Sequence, residues 1–183
     1  NYSSWSMRPW VLLKQAGIAF DEVRVRFDSF DAQSEFKRTI GAVSPTAKVP
    51  VLVDGDLVVW DTLAIAETLA EKFPSLALWP RDPHQRARAR SLCAEMHAGF
   101  QQLRNDCSMH CGWRVRLHHI SDKLQRDIDR VVQLWNEGLD RFGGPFLFRT
   151  AESSDVDRLP ECGGERRFLH GLAHRRVRVD RAG

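Results

Sequence analysis

The chain has 183 residues, 43% of them hydrophobic, enough for one domain or two small ones with packed cores. Its 27 basic and 24 acidic residues leave a net charge of only +3, with no block of like charge in the body, so nucleic acid is not an expected partner. No apolar run approaches the roughly 18 residues that span a bilayer and no signal-peptide pattern opens the chain, so a soluble, cytoplasmic protein without a membrane partner is expected.

The chain opens on Asn1 rather than Met, with a turn-like Asn1-Tyr2-Ser3-Ser4. Ser6 is predicted to cap a helix that has Pro9 in its first turn and Gly17 as its C-terminal stop. Val23, Val25 and Phe27 alternate with Arg24 and Arg26, the pattern of a strand with one apolar face. A short helix around residues 34–40 follows, and Ser44-Pro45-Thr46-Ala47 leads out of it.

The next stretch, from Lys48 to Leu63, carries both structure and chemistry. Two apolar runs flank Asp54-Gly55, which predicts a hairpin closed by a type I′ turn, with both of its faces covered. Pro50 has no N–H to give a ladder and belongs at the first position of the first strand. That leaves the Val49 main chain free to pair with an extended peptide ligand, and an X-Pro bond at such a site is sometimes cis. Asp61 or Thr62 then caps a helix with Leu63, Ala66, Leu69, Ala70 and Phe73 on its apolar side, ended by Pro74.

A helix N-terminus with free N–H groups suits a carboxylate, the Thr62 hydroxyl adds a donor, and Asp61 suits an ammonium group. The stretch therefore fits a short zwitterionic peptide, against the alternative of an ordinary hairpin and cap. Helix, strand, helix, strand, strand, helix is an α/β order, and a parallel strand before the first helix, which the abrupt start lacks, would complete a βαβ unit.

Beyond Trp79-Pro80-Arg81-Asp82-Pro83 everything reads as helix. One helix runs from Pro83 to about Arg104 with Ala87, Leu92, Cys93, Met96, Phe100 and Leu103 on one face. A second begins near Ser121 and carries Leu124, Ile128, Val131, Leu134, Trp135, Leu139 and Phe142 before Gly143-Gly144-Pro145. These stripes read as core rather than cofactor contacts. Cys93, Cys107, Cys111 and Cys162 form no C-x-x-C pair, as in a reducing compartment, and Cys107 to Cys111 lacks the second ligand pair of a metal site, so no metal is expected.

Ser3-Ser4-Trp5-Ser6-Met7-Arg8-Pro9-Trp10, then Lys48-Val49-Pro50, then Asp61-Thr62-Leu63-Ala64-Ile65-Ala66, in this order and at these separations, resemble the glutathione transferases from Asn1 to about Phe148. The Ser-Ser-x-Ser-x-Arg opening looks most like the serine-using bacterial and zeta-type members, which include maleylacetoacetate isomerases. The resemblance implies an α/β thioredoxin-like N-terminal domain (residues 1–76), a linker (77–82) and an all-α helical C-terminal domain (83–148), with the architecture incomplete at both ends.

It further implies that Ser3 activates the thiol of glutathione, the co-substrate, with Ser4 and Ser6 as competitors for the role. Pro50 would be the cis proline, Val49 the main-chain contact to the cysteinyl part, and Asp61 and Thr62 the holders of the γ-glutamyl head. Lys48 and Gln15 would approach the glycyl carboxylate. Trp10, Arg114 and Arg116 would line the pocket of an electrophilic small molecule, near Met109 to Arg116.

The implied activity is glutathione transfer, with maleylacetoacetate-type isomerisation or a glutathione-binding module of little activity as alternatives, in a homodimer. Thioredoxin-like redox catalysis fails because no cysteine stands at the first helix. Two departures stand out. Ala47 replaces the glycine usual before Lys-Val-Pro, and residues 149–183, whose composition suggests translation out of the usual frame, are expected to form a disordered tail.

Overall fold

The computed structural model describes residues 3–109, 112, 115–142 and 166–173. The chain forms two compact units, one of residues 1–65, 109–112 and 163–183, the other of residues 66–108 and 113–162.

In the first unit, α1 (Ser4–Gln15) starts three residues earlier than a Ser6 cap would place it. Ser3 is the cap, its Oγ accepting from the Ser6 N–H at 3.3 Å, and Pro9 lies inside the helix rather than in its first turn. The helix ends in a Schellman turn, with Gly17 at φ 64° and the Ile18 N–H bonded to the Leu13 carbonyl at 3.0 Å. Strand β1 (Asp21–Phe27) follows, then α2 (Glu35–Gly41) with Ser34 as its cap, and the hairpin β2 (Val51–Asp54) and β3 (Leu57–Trp60). Helix α3 (Thr62–Lys72) follows.

The hairpin pairs Asp54 with Leu57, so its two loop residues are Gly55 and Asp56. Only Gly55 has positive φ, at 61°, which is the requirement of a type II′ turn and replaces the expected I′ turn on Asp54-Gly55. The expectation that both hairpin faces are covered holds for β2, where Val51 and Leu52 are buried on opposite sides of the pleat. It fails for β3, an edge strand with Leu57 and Trp60 exposed.

The strand that completes the parallel unit comes from the far end of the chain. Residues Arg166–Ala173 form β4, which lies between β1 and β2 in the order β1-β4-β2-β3, parallel to the first and antiparallel to the second. The expected disordered tail therefore does not extend to these residues, because both faces of their main chain are taken up in ladders. Residues 149–165 and 174–183 lie outside the described residues. Val25, Phe36, Ile40 and Val51 form the core between the sheet and α2, with Val49 among the side chains packed on it.

In the second unit the expected linker is tied down, since Arg86 donates to the carbonyls of Pro80 and Arg81 at 2.9 and 2.8 Å and Arg90 lies 5.6 Å over the Trp79 ring. Helix α4 (Pro83–Ala98) has Pro83 at its first position and an Asp82 cap. It stops short of Arg104. A Cβ on Gly99 would stand 2.9 Å from the Glu95 carbonyl oxygen, and Phe100 takes φ 60°, before α5 (Gln101–Asp106) resumes. Arg104 turns back to donate to the Gly99 and Met96 carbonyls.

Ser121 caps α6 (Asp122–Phe142), whose Leu124 and Leu134 are buried. Trp135 and Leu139, expected in the core, are exposed; so is Ala87, while Ala89 is buried in its stead. No helix among the described residues is long and apolar enough to cross a membrane.

Ion pairs among its described residues stitch this unit. Arg130 forks onto Glu95 at 2.6 and 2.9 Å, Arg90 onto Glu67 at 2.9 and 3.1 Å, and Arg88 reaches Glu137 at 2.7 Å. The arginine hydrogen bonds hold all three carboxyls below their ordinary value of 4.5. A carboxyl depressed by folding stabilises above its unfolded pKa, and that contribution is lost as pH falls below 4.5 and through the folded value. The pairs are solvent-exposed enough that the effect is small. The expected outcome is a gradual fall of Tm as the pH is lowered through and below 4.5, and a shallower slope in a Glu95→Gln, Glu67→Gln, Glu137→Gln triple variant, read by calorimetry.

Candidate functional site

The site is built at one end of the hairpin. Its closing pair is Val51 opposite Trp60, so Val49-Pro50, which enters β2, and Asp61-Thr62, which leaves β3, flank the same rung of the ladder. Sequence position separates them by more than ten residues, and the register brings them side by side.

Each part is held by a distinct device. The Val49–Pro50 bond is cis and Pro50 is buried. The Val49 side chain packs on the core, while its main chain stands outside both ladders and outside the backbone hydrogen bonds of the described loops. Ala47 adopts φ 47°, a left-handed conformation in which a glycine would be at ease and a Cβ is unfavourable.

Asp61 takes φ 79°, a region aspartate tolerates better than most residues, and its Oδ1 accepts from the N–H groups of Leu63 at 2.8 Å and Ala64 at 3.4 Å. Asp61 rather than Thr62 is thus the cap of α3, and Thr62 is buried at the first helical position. The buried stripe of α3 is Thr62, Ile65 and Leu69, continued by Phe73 just past its end, whereas Leu63 is only half-buried.

The third part is the start of α1, in the same unit. A hydroxyl has two lone pairs and one proton. Ser3 Oγ accepts the Ser6 N–H, which leaves its O–H to donate to something else. Ser4 is half-buried at the first turn. Ser6, by contrast, is 3% exposed and its Oγ has no hydrogen-bond partner, as is also true of the Trp10 indole N–H one turn on.

Lys48 is exposed beside the loop. Of the remaining predicted residues, Arg116 is exposed and belongs to the second unit, and Arg114 lies outside the described residues. Among the described residues no group of three His, Cys, Asp or Glu side chains is placed to hold a metal. Sequence reasoning missed the Lys37 ammonium, which donates to the Ala47 carbonyl at 2.9 Å from ten residues away.

Comparison with known proteins finds similarity over the same part of the chain. Residues 2–72 match the family described as Glutathione S-transferase, N-terminal domain. A probable maleylacetoacetate isomerase of Caenorhabditis elegans is 35% identical over 103 residues, covering 56% of this chain and 46% of the relative. Glutathione S-transferase Z1 of Arabidopsis thaliana is 36% identical over 106 residues, covering 56% and 45%, and glutathione S-transferase 1 of Dianthus caryophyllus is 32% identical over 128 residues, covering 69% and 52%.

The chain thus spans about half the length of the relatives it matches. Residues 2–72 are similar to the N-terminal domain of glutathione S-transferases, and the first unit has the α/β order of a thioredoxin-like domain.

Proposed function

We propose that this chain is a glutathione transferase in which the thiol of bound glutathione is activated by Ser3 for attack on an electrophilic small molecule. The observation that carries the reading is the Val51–Trp60 rung, which sets a main chain without ladder partners at Val49 beside the N-terminus of α3 at Asp61-Thr62. The cysteinyl part of the tripeptide pairs with Val49, following the cis Pro50. Its γ-glutamyl carboxylate meets the N–H groups and hydroxyl of Thr62, and its ammonium meets Asp61. Lys48 neutralises the glycyl carboxylate.

In the reaction Ser3 and, beside it, Ser4 donate hydrogen bonds to sulfur, the thiol proton leaves to solvent, and the thiolate forms a C–S bond as the leaving group departs. Trp10 of α1 is assigned to the electrophile's pocket. Resemblance to the serine-using bacterial and zeta-type members supports the serine assignment and a cytoplasmic homodimer.

A second reading, maleylacetoacetate-type isomerisation, is favoured by relatives named for that activity. There the same thiolate adds to a cis double bond, the C–C bond rotates, and glutathione is expelled unchanged. Turnover of a cis-enedioate without consumption of glutathione distinguishes it from conjugation.

Titration of the full chain with reduced glutathione, followed by thermal shift, tests the site common to both. A folded-state ligand at about 100 times its Kd adds about 2.7 kcal/mol of stability. A cooperative transition with no shift removes the reading. The Asp61 assignment has its own check. Asp61→Asn keeps the cap and tolerates positive φ, so it is expected to leave Tm within about 2 °C while weakening glutathione about tenfold through the lost charge. Asp61→Ala is expected to cost a further 1–3 kcal/mol or so of stability from the cap and the backbone conformation together.

A further inference from the structure

We propose that Lys37 is a positioning residue for glutathione, acting through the Ala47 carbonyl to keep the Val49 loop in its binding shape. The proposal rests on the glutathione reading above and adds a residue that touches no substrate atom.

The starting point is Ala47 at φ 47°. A Cβ makes that conformation unfavourable, by roughly tenfold in population against the right-handed one. A loop free to relax would therefore leave it, and the direction of the two following residues, Lys48 and Val49, would change with it. Something must hold Ala47 in place.

Three contacts do so. The Ala47 N–H donates to the Ser44 carbonyl at 3.0 Å, and Ser44 is itself 1% exposed and bonded to the end of α2 through the Ile40 carbonyl at 2.8 Å. The Ser44 and Thr46 hydroxyls lie 3.2 Å apart. The only charged member is the Lys37 ammonium on the Ala47 carbonyl, at 2.9 Å. One turn along the same face of α2, a Cβ built on Gly41 would stand 3.8 Å from the Ala47 Cβ, so the loop lies directly on the Lys37–Gly41 face.

Lys37 is half-buried, and the Ala47 carbonyl is the hydrogen-bond partner of its ammonium. A charge-assisted bond of this kind is about twice as strong as a neutral one. It is the contact best able to offset the alanine's cost, and it sits two residues before the main chain assigned to the cysteinyl part of glutathione.

The role makes a coupled prediction. With glycine at 47 the left-handed conformation carries little cost and Lys37 becomes dispensable. Calorimetric titration of the full chain with reduced glutathione, well below each variant's Tm, is read alongside kcat and KM with a chromogenic electrophile. Lys37→Met is expected to raise Kd and KM for glutathione about tenfold with kcat changed less than about twofold. Lys37→Arg, which keeps a donor, is expected to retain most of the affinity. Ala47→Gly added to Lys37→Met is expected to restore Kd to within about twofold of the parent.

Unchanged binding by Lys37→Met overturns the proposal. So does weakened binding that Ala47→Gly does not restore, because Lys37 would then act on the ligand directly. If the parent chain binds no glutathione, the site reading itself fails and takes this role with it.

Discussion

Replacing Ser3 by alanine is expected to lower turnover of glutathione with a chromogenic electrophile about a hundredfold near neutral pH, the usual scale for losing one donor to a reacting anion. A free thiol ionises near 8.5, so only a few per cent of it is thiolate at pH 7. A hydroxyl that donates to sulfur stabilises the thiolate and not the thiol, which lowers that value. The Ser3 hydroxyl is suited to this because its acceptor function is already used on the Ser6 N–H at 3.3 Å.

The pH at which kcat/KM reaches half its plateau should accordingly move up by about one to two units in Ser3→Ala, a readout that mere loss of stability does not produce. Ser3→Asp separates the two jobs of the residue. It keeps an oxygen to cap α1 but has no proton to donate at neutral pH, so it should hold Tm and still lose turnover. Turnover unaltered in Ser3→Ala transfers the role to Ser4 or Ser6, of which Ser6, buried and unpartnered at Oγ, is the next to replace.

A proline at Leu169 is expected to abolish cooperative folding of the first unit. The main chain of Leu169 faces Val23 of β1 on one side and Val51 of β2 on the other. Proline removes a donor from the middle of a central strand and cannot fit its ladder, a cost of about 3 kcal/mol or more out of the 5–15 that typically hold a domain. Without β4 the sheet falls into the lone strand β1 and the hairpin β2–β3, and a lone hairpin is marginal in water. Glutathione binding should vanish with it, since Val49 and Asp61 flank that hairpin. Leu169→Val, compatible with a strand, should leave the urea midpoint nearly unchanged. Unfolding of Leu169→Pro at the parent midpoint would show that β4 does not hold the sheet together.

Local rules accounted for much of the architecture. Two apolar runs around a glycine made the hairpin legible, Ser34 and Ser121 marked helix starts, and Pro83 marked the start of α4. The three motifs of the resemblance pointed to the glutathione transferases and to the cis bond at Pro50. Where several residues could do the same local job, the sequence left the choice open. Ser6 reads as the cap of α1 by its residue type, yet Ser3 is the cap and accepts the Ser6 N–H, with Ser6 buried inside the helix. The apolar stripe runs without interruption through Gly99 and Phe100, yet the helix breaks there, and Asp127 of α6 takes the Leu103 N–H at 2.9 Å to begin the next one.

What the sequence by itself determined is therefore the set of short-range elements, because caps, turns and side-chain periodicity act within a few residues. Only the tertiary structure decided that Arg166–Ala173 lies at the centre of the sheet, that Val49 and Asp61 flank the Val51–Trp60 rung, and that Lys37 reaches Ala47. The last two depend on strand register and on how α2 packs. The first depends on open ladder positions on β1 and β2, which any strand of compatible pattern can fill, whatever its distance along the chain.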